Sequence, residues 1–549
     1  MVKIINQKTW VIIILLSILG GILRFGNLAI NPPGLTVDEV SSGFNSYSIL
    51  KTGKDEYGTF LPVSFRSLND YKPPLYIYLS TIPIWVFGLN EFSVRFLSAL
   101  IGVLSIPVSF LLFWKISKKK GIALLGTALF AISPWHIFYS HLGFESPVAM
   151  SLVMLGIWSF LKMLEGSLKW GVFSAVALAL SCYTYHSERI FVPLFIFYLF
   201  WIYREKIQEF RKTIFYFSIP LVIFALPVII SVFFNSGGSR IAMTLITNDP
   251  DFIRNIYSAT TAHQNFWIQI FGGKYLLLFF FILNKIISYL QPSYLFFQGL
   301  NMTQIGSFGL GLMYLFETPF FIVGLFYYLR EKNIQRQIIF GWLVLGILPA
   351  AITQDTFNPI RLLLVTPMVV LLSATGGIIC YNWLIRLTSR WKYPVVFIFG
   401  GFVIWNLIYA FLIFTVHFPV EKSEDYLYGS KQSALFAILQ KDNYQEIVMD
   451  PVRGTLAPDI RNVPHLYLLF YSKYDPLTYQ TMPKRISDGV YGFDKFTIRE
   501  IDWRVDQKKK GTLFIGSPWR FTDSNIKPEQ IKQKFYLLSG QLALMAVSP

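Results

Sequence analysis

The sequence predicts a polytopic α-helical membrane protein that carries a soluble α/β domain at its C-terminal end. Charged residues make up only 14% of the 549 residues, against roughly 25% in an average soluble domain. After Val416 the composition changes, and short apolar strands such as Glu446–Met449 and Thr512–Ile515 alternate with charged helices and proline turns. Before it, uncharged runs reach the roughly 20 residues that cross a bilayer, among them Phe96–Trp114, Thr213–Ser239, Leu362–Ile385 and Val395–Val416.

The basic residues predict the topology of the membrane part. They cluster in alternate loops between the apolar runs, at positions 115–120, 204–212, 330–336 and 386–392. An excess of lysine and arginine is typical of cytoplasmic loops. We therefore expect a multi-pass protein of the plasma membrane with a cytoplasmic N-terminus. The eleven predicted crossings are 9–30, 92–115, 121–140, 146–164, 168–186, 190–203, 212–234, 308–329, 337–354, 360–385 and 394–416.

This map divides the chain into two predicted domains. Residues 1–419 form the membrane domain, with a first outer loop at 31–91 and a long outer loop at 235–307, and residues 420–549 form an extracytoplasmic domain. The apolar segment 73–89 contains Pro83, and a crossing there would reverse the charge bias of the loops that follow, so we interpret it as a juxtamembrane or re-entrant helix. Residues 275–290 have the same ambiguity, and the sequence leaves open whether either segment spans.

The net charge of +17 reports this topology and does not indicate a nucleic-acid partner, because the basic residues lie in separate loops and form no single patch. Cys182 and Cys380 both fall inside predicted helices, near opposite faces of the membrane, so no disulfide is expected. The sequence contains no Cys or His cluster with metal-ligand spacing.

Acidic and basic side chains gather in the first outer loop. Asp38 and Glu39 follow the turn that ends the first helix, and a second cluster, Asp70–Leu75 (DYKPPL), precedes the next apolar segment. Carboxylates beside a membrane are costly to desolvate and indicate function. We predict that Asp38 is a general base tuned by Glu39, and that Lys72 contacts phosphate because prolines fix the backbone beside it. The alternative for Asp38 is a solvated loop carboxylate or a helix cap.

Further candidates lie at the predicted outer ends of helices. Glu145 precedes the fourth crossing, Arg189 lies in a very short outer loop, and Arg361 precedes the tenth crossing. The two arginines oppose the charge bias, and a bound lipid phosphate would explain them. Snorkelling to headgroups, or pairing with Glu188 and Asp355, is the alternative explanation.

These motifs together resemble those of the GT-C glycosyltransferases, the class that contains protein O-mannosyltransferases and lipid A aminoarabinose transferases. Thr36–Glu39 (TVDE) resembles their first-loop acidic motif, and Asp70–Leu75 resembles their His-Pro-Pro-Leu or Lys-Pro-Pro-Leu segment. Glu91–Phe96 resembles the start of their second crossing. The likeness covers about residues 10–235, with a weaker echo at Asn358–Arg361. Glu145 stands where related enzymes often have an aspartate, and residues 420–549 resemble no domain of the family.

The resemblance implies transfer of a sugar from a polyprenyl-phosphate donor, with inversion at the anomeric carbon, to a protein or glycan acceptor at the outer membrane face. A phosphate ester is a good leaving group, so no general acid is required. The reaction needs a base for the acceptor hydroxyl, Asp38 with Glu39, and fixed cations that stabilise the developing phosphate charge. The expected phosphate ligands are Lys72, Arg189 and Arg361. The residues expected to contact the acceptor or the sugar are Asp70, Tyr71 and Glu145. No cofactor is required, and a divalent metal is neither implied nor excluded.

Other functions are less consistent with the charge pattern. A transporter or flippase for a polyprenyl-linked glycan would place charges at mid-helix and show two similar halves with broken helices, and neither feature is visible. A non-catalytic membrane scaffold would not need the retained acidic and basic loop residues. An oligosaccharide or O-antigen transferase shares much of the architecture and is the nearest alternative among enzymes. The expected partners are the lipid donor, its acceptor and membrane lipids.

Overall fold

The structure is a computed structural model that describes residues 6–67, 70–209, 211–234, 244–261, 274–301, 309–354, 357–455, 460–487, 490–521 and 526–549. The predicted outer loop 235–307 is therefore described only in part. Asp355, the predicted alternative partner of Arg361, lies outside the described residues.

Helices dominate the chain up to residue 421. In chain order they are α1 Gln7–Phe25, α2 Val37–Thr52, α3 Leu75–Phe87, α4 Glu91–Ser117, α5 Lys120–Ile132, α6 Pro134–Ser140, α7 Ser146–Met163, α8 Leu168–Cys182, α9 Glu188–Ile202, α10 Arg204–Glu209, α11 Arg211–Phe234, α12 Pro250–Thr261, α13 Lys274–Tyr289, α14 Thr318–Arg330, α15 Ile334–Ala351, α16 Thr366–Leu384, α17 Ser389–Leu412 and α18 Phe418–Glu421. A helix of the structure lies within each of the eleven predicted crossings or overlaps it.

The apolar helices confirm a polytopic membrane protein. Among the described residues, seven helices are long and apolar enough to cross a membrane, or eight if α5 and α6, which meet at a bend of 48°, count as one span. Three shorter apolar helices accompany them, at Leu75–Phe87, Leu168–Cys182 and Leu276–Tyr289. The first and third correspond to the ambiguous segments 73–89 and 275–290. The count of eleven crossings stays a prediction.

The helices pack around α4 and α16. Helix α4 contacts α1, α5 and α7, and α16 contacts α14 and α5. The crossing of α14 and α16 is close because each helix contributes a glycine. A Cβ atom at Gly324 would collide with the backbone carbonyl of Leu372, and one at Gly376 would collide with that of Phe320. Small residues that let two backbones approach in this way are common between membrane helices.

The first outer loop is more ordered than the sequence prediction suggested. Its first part is the helix α2, whose N-cap is Thr36 and whose C-cap is Gly53 in a left-handed conformation (φ 69°). A hairpin follows, formed by β1 Phe65–Ser67 and β2 Asp70–Lys72, which pair antiparallel. Helix α3 then leads directly into the membrane helix α4. Asp38 therefore lies in the first turn of a helix rather than in an irregular loop.

The C-terminal residues form the predicted α/β domain. Its helices are α19 Ser430–Leu439, α20 Pro464–Tyr471, α21 Pro476–Thr481 and α22 Trp503–Asp506. Its strands are β3 Glu446–Met449, β4 Val452–Arg453, β5 Ile460–Arg461, β6 Arg485–Ser487, β7 Val490–Phe493, β8 Phe496–Ile498, β9 Thr512–Gly516, β10 Ile531–Tyr536 and β11 Leu542–Val547. Seven strands form one sheet in the order β10-β11-β9-β3-β8-β7-β6. The central strand β3 runs parallel to β8 and β9, and β9 is buried throughout, as expected when both faces of a sheet are covered.

The C-terminal domain shares a hydrophobic core with the first outer loop. Leu35 and Phe44 of the loop belong to the same buried cluster as Tyr467 and Phe470 of α20. The Tyr467 hydroxyl donates a hydrogen bond to the carbonyl oxygen of Leu35 (2.6 Å). Because these side chains are buried together, the first outer loop and the C-terminal domain pack as one unit on one side of the helical bundle.

Candidate active site

Asp38 and Glu39 are positioned by the N-terminal turn of α2. The Thr36 hydroxyl accepts a hydrogen bond from the Glu39 N–H (3.3 Å), and the Glu39 carboxylate accepts one from the Thr36 N–H (2.9 Å). This reciprocal pattern is a capping box, which fixes the start of a helix. Both carboxylates of the predicted acidic motif are thereby held at the positive end of the helix dipole, where negative charge is stabilised.

Glu39 is a buried structural acid. Its side chain has no exposed surface, and its Oε1 atom lies 2.8 Å from the Arg95 Nε atom. The same oxygen accepts a hydrogen bond from the Gly143 N–H (2.9 Å). The guanidinium group of Arg95 also donates to the carbonyl oxygens of Pro32 (2.9 Å) and Gly34 (2.5 Å). This pair joins the turn before α2, the start of α4 and the segment before α7, so the geometry gives Glu39 a positioning role.

Asp38 points outward from the same turn. Its side chain is 60% exposed, and its Oδ1 atom lies 2.9 Å from the Nζ atom of Lys72, whose side chain is only 5% exposed. The Lys72 ammonium also donates to the Asp38 carbonyl (3.0 Å) and to the Ser42 hydroxyl (3.3 Å). Since an ammonium group has three N–H bonds, Lys72 is fully engaged with α2 in this structure. The geometry thus assigns Lys72 to the orientation of Asp38, and phosphate binding by Lys72 stays a prediction.

The strand that carries Lys72 also contacts the start of α9, where Arg189 lies in the first helical turn rather than in the predicted short loop. The His186 Nε2 atom donates to the Tyr71 carbonyl oxygen (3.1 Å), and the Arg189 Nη1 atom lies 3.2 Å from His186 Nδ1. A carbonyl can only accept, so His186 carries its proton on Nε2 and accepts from Arg189 on Nδ1, as a neutral imidazole does. The Arg189 Nε atom donates to the Cys182 carbonyl (3.1 Å). These bonds hold the start of α9 against β2.

Arg361 lies across an open cleft from His186. The cleft has about 520 Å³ of empty volume, and its lining includes His186, Thr353 and Arg361. The Arg361 Nη1 atom donates to the Thr353 hydroxyl (2.6 Å). A further cation, Lys285 on α13, donates to the carbonyl oxygens of Thr353 (2.5 Å) and Gln354 (3.2 Å). Arg361 and His186 thus line one cleft, with Arg189 bound to one wall and Lys285 to the other.

The remaining predicted site residues are Glu145, Asp70 and Tyr71, and each adjoins a residue of the contacts described above. Glu145 is half-buried and directly precedes α7, two residues after Gly143, which contacts Glu39. Asp70 pairs with Ser67 in the β hairpin, one residue before Tyr71. Tyr71 is half-buried and contributes its carbonyl to His186. Their predicted contacts with sugar or acceptor stay predictions.

Sequence reasoning missed several residues of this site. The sequence marks Arg95 only as part of the Glu91–Phe96 motif, although an arginine so near the end of an apolar helix needs a buried partner. The Thr36–Glu39 spacing, which is that of a capping box, could have predicted α2. His186 and Lys285 carry no local signal, because their contacts with Tyr71 and Thr353 join distant parts of the chain. Within the described ranges, no group of three or more His, Cys, Asp or Glu side chains could hold a metal ion.

Comparison with solved structures identifies the fold. The crystal structure of ArnT from Cupriavidus metallidurans bound to undecaprenyl phosphate is similar to this chain with a TM-score of 0.51 and 13% identity, over 98% of each chain. The apo structure of the same protein gives a TM-score of 0.52 and 12% identity, again over 98% of each chain. The chain has the GT-C fold. The likeness includes the C-terminal domain, which had suggested no relative from its sequence.

Two sequence comparisons match smaller parts of the chain. Residues 71–231 match the family model described as dolichyl-phosphate-mannose-protein mannosyltransferase, a range that begins at Tyr71 and ends within α11. An uncharacterized protein from Aquifex aeolicus strain VF5 is 31% identical over 126 residues. That match covers 23% of this chain and 24% of the curated relative. The match to the mannosyltransferase model falls within the region that the sequence motifs had indicated.

Proposed function

We propose that this protein transfers a sugar from a polyprenyl-phosphate donor to an acceptor hydroxyl at the outer face of the membrane, with inversion at the anomeric carbon. The observation that carries the proposal is the exposed Asp38 carboxylate, which the buried Lys72 holds in an ion pair of 2.9 Å. The strand that carries Lys72 is bonded through the Tyr71 carbonyl to His186, which lines a cleft together with Arg361. An accessible base next to a group of fixed cations is the arrangement that this reaction needs. The match of residues 71–231 to a mannosyltransferase model supports the same reaction class.

The proposed step moves one proton and exchanges one bond. The acceptor hydroxyl gives its proton to Asp38, and its oxygen forms the new bond to the anomeric carbon. The bond between that carbon and the phosphate oxygen breaks, and its electron pair leaves with the polyprenyl phosphate. Arg361 and Arg189, with Lys285 nearby, oppose the phosphate charge that grows as the bond breaks.

The proposed orientation follows from the charge of the loops. Basic residues gather beyond one set of helix ends, and Asp38, Lys72 and the C-terminal domain lie beyond the other. We infer that the N-terminus is cytoplasmic and that the active site and residues 420–549 face outward at the plasma membrane. The donor phosphate would then reach the cleft from the outer leaflet, and the acceptor would approach Asp38 from the aqueous side.

The decisive experiment is transfer by the purified protein in proteoliposomes, with radiolabelled polyprenyl-phosphate mannose, glucose, galactose and aminoarabinose and with envelope fractions as acceptor. Asp38→Asn should cut turnover by at least about a hundredfold and leave donor affinity unchanged. Arg361→Ala should weaken donor binding by ~1.5–3 kcal/mol, the value of hydrogen bonds to charged groups. The matched controls are Asp442→Asn, in an exposed turn of the C-terminal domain, and Arg330→Ala, at the exposed end of α14.

The outcomes separate the proposed reaction from its alternatives. Full turnover in Asp38→Asn would remove this residue from the mechanism. Movement of intact labelled donor across the bilayer, without transfer to any acceptor, would indicate a flippase. Transfer from an added lipid-linked oligosaccharide, with none from the labelled monosaccharide donors, would indicate an oligosaccharide or O-antigen transferase.

A further inference from the structure

A buried carboxylate outside the proposed machinery contacts α2 about one helical turn from the position that Lys72 contacts. Glu56 is only 2% exposed and follows α2 in the first outer loop. Its Oε1 atom accepts a hydrogen bond from the Asn45 side-chain amide nitrogen (3.0 Å), and its backbone N–H donates to the Asn45 side-chain oxygen Oδ1 (3.0 Å). Asn45 lies three residues after Ser42, which accepts from Lys72. Residues three apart share one face of a helix, so Lys72 and Glu56 contact neighbouring positions on the same face of α2.

The charges around Glu56 come from three parts of the chain. Burial raises the pKa of Glu56 to about 7, and the Asn45 hydrogen bond opposes this rise. The Asp55 charge raises the pKa further, and the ammonium groups of Lys72 and Lys484 lower it. Glu56 is therefore placed between the cation that orients Asp38 and a cation of the C-terminal domain.

The C-terminal domain encloses Glu56. Three phenols interact electrostatically with the carboxylate, one from the first outer loop and two from the C-terminal domain. Burial is the largest cause of the raised pKa of each, and the Glu56 charge adds to it: Tyr57, Tyr479 and Tyr491. The Tyr479 and Tyr491 hydroxyls are hydrogen bonded to each other. The Lys484 Nζ atom lies 4.2 Å from the centre of the Tyr479 ring, and the Gln480 amide donates to the Asp55 carbonyl (2.8 Å).

We propose that Glu56 is a positioning residue for the transfer reaction. Its ionised carboxylate partly compensates the positive charge of Lys72, so that Asp38 becomes a stronger base. This inference rests on the proposed function. Lys72 is bonded to Asp38 on one side and is attracted by Glu56 on the other. When Glu56 is protonated, the full ammonium charge acts on Asp38, and Asp38 is less able to take the acceptor proton. The C-terminal domain contributes to the burial of Glu56 and supplies the Lys484 charge, and both influence the pH at which Glu56 ionises.

The test is the pH dependence of turnover in Glu56→Gln, which keeps the hydrogen bond from Asn45 and removes the charge. At about pH 5.5 the parent carboxyl is protonated, so the two proteins should turn over alike. At about pH 8.5 the parent should be faster by about tenfold. Donor affinity, measured with the labelled polyprenyl-phosphate sugar that the parent uses, should change less than about twofold, since the phosphate cleft is untouched. The matched control is Glu529→Gln, an exposed carboxylate of the C-terminal domain.

Two other variants test the same idea with Glu56 in place. Lys484→Met removes a charge that lowers the pKa of Glu56, so the inflection of the turnover profile should move to higher pH. Asp55→Asn removes a charge that raises this pKa, so the inflection should move to lower pH. Asn keeps the oxygen that accepts from the Tyr57 and Thr59 N–H groups.

The possible failures are distinct. A constant ratio of parent to Glu56→Gln turnover across the pH range would reduce Glu56 to a structural role and overturn the inference. Identical inflections in Lys484→Met and Asp55→Asn would also overturn it. If the parent transfers no sugar at any pH, the proposed function itself fails.

Discussion

The buried pair of Glu39 and Arg95 fixes the geometry around Asp38. The five N–H donors of a guanidinium group are directed here to the Glu39 carboxylate and to the carbonyl oxygens of Leu28, Pro32 and Gly34. An ion pair inside a protein gives little net stability unless its hydrogen bonds are complete. In this pair they are complete, so one side chain of α4 ties the turn before α2 to the helical bundle.

Removal of Arg95 should therefore destabilise the whole protein. Arg95→Met leaves the Glu39 carboxylate buried without its counter-charge, and the expected loss is about 3–5 kcal/mol of unfolding free energy. The control is Lys431→Met, which removes a pair with Glu91 in which the lysine is 49% exposed and should cost less than about 1 kcal/mol. Unfolding of both variants in detergent, followed by tryptophan fluorescence, makes the comparison. Equal stability of the two variants would contradict the structural role of Arg95.

At the residue scale, the sequence identified individual groups better than their contacts. Asp38 and Lys72 could be chosen from local motifs, because acids and lysines beside apolar segments are rare and costly. Their ion pair could not be predicted, since it depends on how the hairpin of β1 and β2 folds back on α2. Glu56 could not be distinguished from the other charged residues of its loop, because its environment is completed by Lys484 and Tyr479 from the far end of the chain.

At the scale of elements, polarity decided which helices the sequence could predict. The membrane helices are apolar runs, so length and hydropathy were sufficient to locate them. Helix α2 was missed because most of its buried positions are polar. It buries two large apolar side chains, Val40 and Phe44, and a larger set of polar ones that includes Ser41, Ser42, Asn45, Ser46 and Ser48. Their hydroxyl and amide groups bond to backbone carbonyls and to Lys72 and Glu56. An amphipathic pattern that predicts a helix assumes a mainly apolar buried face, and in this helix buried polar residues outnumber the buried apolar ones.

The crossing of α14 and α16 should tolerate no side chain at its glycines. Gly324→Ala places a methyl group against the backbone carbonyl of Leu372, which cannot move aside as a side chain could. The helices must separate, so we expect a loss of at least about 1–3 kcal/mol, the usual cost of overpacking. Gly400→Ala in α17 meets nothing within 4 Å and should be neutral or slightly stabilising, because alanine favours helices. Thermal unfolding of the two variants decides the matter, and equal melting temperatures would mean that the helices do not cross so closely.

At the scale of the whole molecule, the first outer loop and the C-terminal domain act as one body. Their shared core includes Leu35 and Phe44 from one part and Tyr467 from the other, and Gln480 donates to the Ser48 hydroxyl of α2 (3.0 Å). The sequence predicted the domain by its strands but not this packing, which joins residues from opposite ends of the chain. Because α2 carries Asp38, the C-terminal domain supports the proposed active site directly.

The orientation of this body in the membrane is the remaining global prediction. Basic loops alternate with the helices, so residues 420–549 should face outward and the loop between α4 and α5 should face the cytoplasm. Single cysteines at exposed positions, Lys508→Cys in the C-terminal domain and Lys119→Cys between α4 and α5, can be introduced after Cys182 and Cys380 are replaced by alanine. In intact cells a membrane-impermeant maleimide should label Lys508→Cys only, and both positions should react after the cells are broken. Labelling of Lys119→Cys alone in intact cells would invert the topology, and it would place Asp38 and its cleft on the cytoplasmic side.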